Sequence, residues 1–194
     1  MPAHPLAGEL IEALCCRGGG RVLDFGSGIG RNTAALRDAG FDVLSIDDAA
    51  AVGTDALAAI DIGGAPFDGA LSTHALLHGT PHSVRKRVGA LACVLSGGAY
   101  FFATFASTRD ARYGGGEEVA EATFAPLDGD ERGVAHVYFD ELRLRAIVEP
   151  HFRVTSLDER AADAIAGTWA HSASPLRGAV HWILYAVRGS CEGP

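Results

Sequence analysis

Two aspartates and three glycines near the start of the chain have the residue types and spacing of a ligand site. Asp24 precedes Gly26, Gly28 and Gly30, and Asp47 follows the next apolar run. Glycine lets a strand turn sharply into a helix while the backbone approaches a ligand closely. A carboxylate just before such a turn repels a pyrophosphate and attracts a cation, and one at the tip of the next strand can accept both hydrogens of a ribose diol. The pattern indicates a ligand with a cationic head and a nucleoside, without a pyrophosphate.

The same turn departs from a dinucleotide-binding fingerprint. That fingerprint requires G-x-G-x-x-G or A, whereas Arg31 follows Gly30 here and is too large for the packing role. S-adenosylmethionine, with an ammonium, a sulfonium, a ribose and an adenine, has the required shape. A strand-to-helix turn without a ligand is the plainer alternative. It would leave two carboxylates unpaired at the tips of adjacent strands, at a cost in stability.

Several motifs resemble those of class I S-adenosylmethionine-dependent methyltransferases. The stretch 24–30 is similar to the first motif of that family, D-x-G-x-G-x-G, and Ile46-Asp47 is similar to its ribose-binding motif. The sequence LSGG at 95–98 resembles the L-x-x-G-G turn of the family. The sequences GRNT at 30–33 and HVYFDELR at 136–143 resemble small bacterial enzymes of the tellurite-resistance type. The resemblance covers most of the chain.

The resemblance implies S-adenosylmethionine as the cofactor and S-adenosylhomocysteine as its product. In that case Asp24 holds the ammonium, directly or through water, and Asp47 holds the ribose. Asp61 and Ile62 resemble the pair that contacts the adenine, and the stretch 73–78 resembles the segment that lines the methionine end. The expected cofactor-binding residues are Asp24, Gly26, Ser27, Gly28, Gly30, Arg31, Asn32, Asp47, Asp48, Asp61, Ile62, Thr73 and His74.

The elements that must position these residues alternate between apolar runs and helical periods. This alternation is typical of an α/β protein with a parallel sheet flanked by helices. Strands are predicted over 21–25, 42–46, 67–73, 99–105, 152–157 and 179–187, and Ser83 and Asp140 are predicted to cap two of the helices. The resemblance implies a Rossmann-like three-layer sandwich whose seven-stranded, mostly parallel sheet has the order 3-2-1-4-5-7-6 and an antiparallel last strand. Only 13 residues separate Asp47 from Asp61, so the region around the second helix and third strand must be abbreviated.

The 194 residues are predicted to form one domain, 1–194, because no linker or repeat is found. Its parts are an N-terminal helix within 1–20, a core over 21–188, and substrate-side loops at 106–137 and 161–178. The stretch 106–137 is polar and rich in glycine, which favours a functional or mobile loop.

Histidines supply the candidate bases for a hydroxyl or amine acceptor, since their pKa lies near the working pH. A thiol or metalloid acceptor would need none. His74, His78 and His82 recur every four residues, which could suggest a metal. Pro81 breaks a helix there and no carboxylate or thiolate follows at ligand spacing, so no metal is expected. The candidate bases are His74, His78 and His136.

Polar and aromatic residues in and after the predicted loops are candidates for binding the acceptor, because such folds place ligands at loops that follow the strands. These candidates are Arg109, Tyr113, Tyr138, Trp169 and His171. The other conspicuous groups have structural explanations. The basic run 85–87 is expected on a solvated helix face, Cys15 and Cys16 in packing, and Trp182 and Tyr185 in the last strand.

Composition excludes several classes of function. The net charge is −8, and no basic cluster exceeds Arg85-Lys86-Arg87, which argues against nucleic acids and other polyanions. No stretch approaches the roughly 20 apolar residues that span a bilayer. We expect no secretory leader from the composition of the first twenty residues, and no disulfide or metal site from the spacing of the four cysteines. We therefore expect a cytoplasmic monomer or homodimer with a small-molecule substrate.

The leading hypothesis is methyl transfer from S-adenosylmethionine to a small-molecule acceptor by in-line displacement. A second hypothesis keeps the fold but uses the sulfonium differently, as in aminopropyl transfer from a decarboxylated cofactor. A third is a non-catalytic protein that binds S-adenosylmethionine or a partner. The abbreviated stretch 49–66 would favour the third.

Overall fold

The computed structural model describes residues 2–47, 65–161 and 177–189. Within these ranges the helices are α1 (Pro5–Cys15), α2 (Arg31–Asp38), α3 (Pro81–Val94) and α4 (Glu141–Val148). The strands are β1 (Arg21–Phe25), β2 (Asp42–Ile46), β3 (Phe67–Ser72), β4 (Leu95–Ser107), β5 (Glu117–Ala120), β6 (Thr123–Ala125), β7 (His136–Phe139), β8 (Phe152–Ala161) and β9 (Val180–Arg188). None of the helices among these residues is long and apolar enough to cross a membrane.

The central sheet has the order β2-β1-β3-β4-β9-β8. The first four strands run parallel to their neighbours, and β9 is antiparallel to both β4 and β8. In the numbering predicted from the sequence this order is 2-1-4-5-7-6, so the Rossmann-like fold and the antiparallel last strand are confirmed. The predicted third strand and the abbreviated region fall mostly in 48–64, outside the described residues.

The stretch 106–137 contains regular structure that the sequence did not predict. Strand β7 pairs in parallel with the end of β4 through Ala106 and Tyr138, and β6 and β5 add to it in antiparallel fashion. Strands of three and four residues are too short to show a period of two. They are held by pairing with β7 and by Phe124, which packs against Tyr138. The prediction of a loop over this whole stretch was therefore wrong.

The helix boundaries follow from their caps. Asp140 caps α4 as predicted, because its side chain accepts from the Arg143 N–H at 2.8 Å. Helix α3 begins earlier than predicted: Thr80 is its N-cap, and Ser83 is the third residue of a reciprocal capping box. Pro81 occupies the first turn, where a missing N–H costs nothing. The prediction that Ser83 caps this helix was wrong.

Apolar side chains fill the space on both faces of the sheet. On one face, Leu6, Leu10 and Leu14 of α1 pack with Leu71 and Phe102 of the strands. On the other face lie buried side chains of α3 and α4, among them Val84, Val88, Leu144 and Ile147, together with Phe101. The two layers of helices therefore fix the strands whose carboxyl ends carry the candidate site.

Two expectations about individual side chains were wrong. Cys15 and Cys16 are exposed rather than packed, because α1 ends there and its buried face stops at Leu14. Arg87 is buried while its neighbours Arg85 and Lys86 are exposed. Its guanidinium donates to the carbonyl of His78 at 2.7 Å and so fixes the segment before α3. Trp182 lies in the last strand, as predicted, and donates to the Phe139 carbonyl at 2.8 Å.

Candidate functional site

The turn between β1 and α2 has the backbone conformation that its glycines allow. Gly26, Gly28 and Gly30 have φ values of +78°, +50° and +77°, in the left-handed region that favours glycine. A Cβ added at Gly28 or Gly30 would meet no described atom within 4 Å. The Gly26 and Ser27 N–H groups donate to the Ile46 carbonyl at 2.7 and 3.0 Å. The turn is thus tied to the end of β2, with its glycine backbone open to a ligand.

Asp24 is fully buried at the end of β1. Its Oδ2 accepts from the Thr33 hydroxyl at 2.5 Å, whereas its Oδ1 has no hydrogen-bond partner among the described residues. Burial raises the pKa of Asp24, and the Thr33 hydrogen bonds and the charges of Arg31 and Arg37 oppose that rise. A buried carboxylate oxygen without a donor is costly. A ligand that brings positively charged N–H groups would satisfy it.

The other predicted cofactor residues lie around this carboxylate or outside the described part. Asp47 is exposed directly after β2, and Arg31 is half-buried at the start of α2, close enough to Asp24 for their charges to interact. Asn32 accepts from the His4 N–H and donates to the Thr73 hydroxyl, both at 2.9 Å. Asn32 and Thr73 therefore join the N-terminal segment to the end of β3. Asp48, Asp61 and Ile62 are outside the described residues.

His74 follows β3 in an uncommon backbone conformation. Its φ is +61°, and its N–H donates to the Thr104 hydroxyl at 2.8 Å. Its ring lies between those of His4 and His181, at centroid distances of 5.8 and 4.9 Å. Burial, together with the neighbouring charges, lowers the pKa of all three rings, to about 3 for His4 and about 4 for His181. His74 is consequently a weak proton acceptor.

An ion pair between the buried Asp110 and the partly exposed Arg112 lies next to His181 and was not predicted from the sequence. Arg112 donates two hydrogen bonds of 2.8 Å to the two oxygens of Asp110, and the Val180 N–H also donates to Asp110 at 2.9 Å. Burial acts to raise the pKa of Asp110, but the hydrogen bonds and charge of Arg112 lower it below its usual value. Arg112 Nη2 lies 3.3 Å from His181 Nε2. Only the alternation of Asp110 and Arg112 was visible in the sequence, because His181 is about 70 residues away.

His78 and His136 meet around Glu131, a residue that sequence reasoning did not single out. His78 and His136 pair across an isolated antiparallel bridge, with ring centroids 5.0 Å apart. Glu131 Oε1 lies 3.8 Å from His78 Nε2, and Oε2 lies 3.3 Å from His136 Nε2. The two nearby imidazole rings hold the pKa of Glu131 well below its usual value. His82, which the sequence grouped with His78, is exposed on α3 instead.

The residues predicted to bind the acceptor separate into three groups. Tyr113 packs on Tyr138 and Phe124, with ring centroids 5.6 and 5.2 Å apart, and burial raises the pKa of Tyr138 to about 12. Arg109 is exposed and forms an ion pair of 2.8 Å with Glu159. Trp169 and His171 are outside the described residues. The structure thus brings Tyr113 and Tyr138 together in an aromatic cluster beside the end of β4.

Solved structures share this fold. A SAM-dependent methyltransferase from Methanosarcina mazei matches with a TM-score of 0.69 at 15% identity, covering 98% of this chain and 100% of that chain. The 1,6-didemethyltoxoflavin-N1-methyltransferase of Burkholderia thailandensis matches with a TM-score of 0.61 at 19% identity, covering 95% and 78%. TehB from Haemophilus influenzae matches with a TM-score of 0.61 at 16% identity, covering 94% and 62%. No protein-family model and no curated protein sequence matches the chain. The chain therefore has the Rossmann-like fold of SAM-dependent methyltransferases.

Proposed function

We propose that this protein binds S-adenosylmethionine and transfers its methyl group to a small-molecule acceptor. The observation that carries the proposal is the buried Asp24 Oδ1, which has no hydrogen-bond partner among the described residues. It lies beside a glycine turn whose backbone faces open space. A cationic amino-acid group attached to a nucleoside fits this combination, and a pyrophosphate does not.

Each residue around the turn has a role in holding the cofactor. Asp24 accepts from the ammonium group, Asp47 accepts from the ribose hydroxyls, and the glycine turn allows close backbone contact. When bound, S-adenosylmethionine supplies an electrophilic methyl group. The bond from His4 to Asn32 keeps the N-terminal segment over the end of β3, where it excludes water and helps to orient the acceptor.

The acceptor is proposed to bind beside the ends of β4 and β7. Tyr113 and Tyr138 offer an apolar wall with hydroxyl groups, which suits a small ring or a comparable flat molecule. His78 and His136 are better placed as bases than His74, whose pKa is lowered well below its usual value by burial. The net charge of −8 favours a neutral or cationic acceptor. The similar Burkholderia methyltransferase holds 1,6-didemethyltoxoflavin, a small molecule, in its crystal structure. We also propose a cytoplasmic location and a monomer or homodimer.

Calorimetry with S-adenosylmethionine and S-adenosylhomocysteine tests the proposal. Asp47→Ala should weaken binding of both about 10- to 100-fold, because charge-assisted hydrogen bonds contribute about 1.5–3 kcal/mol each. The matched control is Asp42→Ala, an exposed aspartate at the opposite end of the same strand, which should leave both affinities unchanged. Failure of the folded wild-type protein to bind either ligand would refute the proposal. Equal affinities of the Asp47→Ala variant and the wild type would refute the ribose assignment.

Binding alone does not separate an enzyme from a non-catalytic binder. A screen of methyl transfer to small thiols, phenols, amines and metalloid anions, followed through formation of S-adenosylhomocysteine, makes that separation. We expect turnover with at least one class, which Asp24→Asn should reduce together with cofactor affinity. Tight binding with no turnover across all four classes would favour the non-catalytic alternative.

A further inference from the structure

His78, Glu131 and His136 form a group of potential metal ligands at the edge of the candidate site. One ligand atom from each lies within 4.8 Å of the others. In a tetrahedral zinc site with bonds of about 2.1 Å, neighbouring ligand atoms are about 3.4 Å apart. The observed separations of 3.3 Å and 3.8 Å between Glu131 and the two rings bracket that value. The two histidine nitrogens lie within 4.8 Å of each other, so rotation of the partly exposed His78 ring as well as of Glu131 is needed to reach tetrahedral spacing.

The orientation of the His136 ring leaves a nitrogen lone pair directed at this group. His136 Nδ1 lies 2.8 Å from the Val134 carbonyl, and a carbonyl only accepts, so Nδ1 carries the hydrogen. In the neutral ring, Nε2 then has a lone pair. This atom is buried and has no hydrogen-bond partner among the described residues, while Glu131 Oε2 lies 3.3 Å away. A backbone carbonyl that fixes the tautomer in this way is the usual outer contact of a metal-binding histidine.

The lone pairs of His136 Nε2 and Glu131 Oε2 face each other at 3.3 Å, and a cation between these two atoms would attract both. A proton on His136 Nε2 would allow one hydrogen bond, to Glu131 Oε2. It would not join His78 to Glu131, because His78 Nε2 and Glu131 Oε1 are 3.8 Å apart, beyond hydrogen-bond distance. A divalent ion can accept electron pairs from all three side chains at once. Two imidazoles and one carboxylate are also a donor set that suits zinc and related metals and leaves a coordination position open.

The backbone holds the two histidines in place before any ion binds. The Val137 N–H donates to the Leu77 carbonyl at 2.8 Å, and the Gly79 N–H donates to the Ala135 carbonyl at 2.7 Å. These bonds flank the bridge between His78 and His136. Pre-positioned ligands lower the entropy that an ion must overcome on binding.

We propose that His78, Glu131 and His136 bind one divalent transition-metal ion, with zinc as the best match to this ligand set. His136 lies on the same short strand as Tyr138, which pairs with the end of β4. An ion there has an open position for a hydroxyl or thiol of a small molecule. This second role, in orienting an acceptor, rests on the proposed function, whereas metal binding itself does not. While the ion is bound, His78 and His136 are ligands, and they act as bases only in the metal-free protein.

Titration of the metal-free protein with ZnCl₂ tests the site, and Co²⁺ provides a visible absorption spectrum. We expect one ion per chain with micromolar or tighter affinity. His136→Ala and Glu131→Gln should each weaken binding at least 10-fold. The matched control is His82→Ala, an exposed histidine four residues from His78, which should bind as tightly as the wild type.

Several outcomes would overturn the metal site. They are no zinc binding by the folded protein, unchanged affinity in Glu131→Gln, or a thiolate-to-cobalt band that disappears in Cys15→Ser, since that cysteine is exposed. Circular dichroism shows whether each variant is folded. A zinc-dependent rise in Tm that is present in the wild type and lost in Glu131→Gln gives a second readout. S-adenosylmethionine calorimetry on the same samples separates failure of the metal site from failure of the proposed function.

Discussion

Asp110 ties together parts of the chain that are far apart in sequence. Both of its oxygens accept from Arg112, and the Val180 N–H at the start of β9 donates to the same carboxylate. The side chain is fully buried. Removing the carboxylate of such a pair leaves the partly buried charge of Arg112 without its neutralising partner. Asp110 therefore connects the segment after β4 to β9, next to the ring of His181.

Asp110→Asn is expected to lower the free energy of unfolding by about 3 kcal/mol, because the carboxylate that neutralises Arg112 is lost. Urea denaturation followed by circular dichroism measures this. The control is Asp158→Asn, which removes an ion pair with Arg160 whose two side chains are nearly half exposed, and which should cost less than about 1 kcal/mol. Equal decreases in the free energy of unfolding of the two variants would show that the Asp110–Arg112 pair stabilises the protein no more than an exposed ion pair.

The site residues that were predicted from the sequence are those whose positions follow from local spacing. Asp24, Gly26, Gly28 and Asp47 were identified because one turn and two adjacent strands bring them together. Glu131 was missed because the cluster that it forms with His136 also needs His78, which lies more than 50 residues earlier. Its position depends on how β7 pairs with β4, which no local pattern indicates.

The elements depend on a few backbone positions at which only glycine fits. Gly20, just before β1, has φ of +150°, and a Cβ there would lie 2.3 Å from Asp68 Oδ2. The same oxygen accepts from the Arg21 N–H at 2.9 Å. This contact joins the start of β1 to β3, and so sets the register of the two strands whose other ends carry Asp24 and Thr73.

Gly20→Ala is expected to destabilise the protein by about 2 kcal/mol or more, because the methyl group displaces Asp68 in addition to straining the backbone. The matched control is Gly19→Ala. Gly19 also has positive φ, +94°, but an added Cβ there meets nothing within 4 Å, so only about 1 kcal/mol of strain is expected. Thermal or urea unfolding measures both. A Gly20→Ala variant no less stable than Gly19→Ala would contradict the steric argument.

Elements marked by a clear local pattern were predicted well, and those held by pairing alone were not. Strands β1 and β2 were predicted to the residue from their apolar runs, and the start of helix α4 was predicted from its capping aspartate. The hairpin of β5 and β6 was missed because its strands exist through pairing with β7 rather than through their own composition. Tertiary contacts therefore decide the structure of 106–137.

The molecule as a whole closes its N-terminal segment over the end of the sheet with a buried histidine. His4 accepts from the Leu6 N–H at the start of α1, and its N–H donates to Asn32. Burial, Arg31 and His181 lower its pKa to about 3. His74 and His181 are shifted in the same direction. Protonation of these rings in the unfolded chain, whose histidines titrate near pH 6.5, therefore favours unfolding.

We expect the wild-type protein to lose stability as the pH falls below about 6.5, because the unfolded state then binds more protons than the folded one. Full stability is present above that pH and declines towards the folded-state pKa. His4→Asn keeps a side chain that can cap α1 and removes one titrating group. The free energy of unfolding of this variant should fall between pH 7.5 and pH 5 by about 2 kcal/mol less than that of the wild type.

Urea unfolding at pH 7.5, 6 and 5 measures this difference. His82→Asn, which replaces an exposed histidine, is the control and should follow the wild-type curve. A His4→Asn variant with the same pH dependence as the wild type would show that His4 is protonated in the folded protein and that its burial has no effect on proton binding.

The outermost strand of the hairpin has a consequence for behaviour at high protein concentration. Among the described residues, β5 ends the row of paired strands, and Glu117 and Glu118 on it are exposed. An open strand edge is a template on which a second molecule can add its own strand. Two adjacent negative charges on that edge repel an identical copy, so the outermost strand β5 also protects the protein from edge-to-edge aggregation.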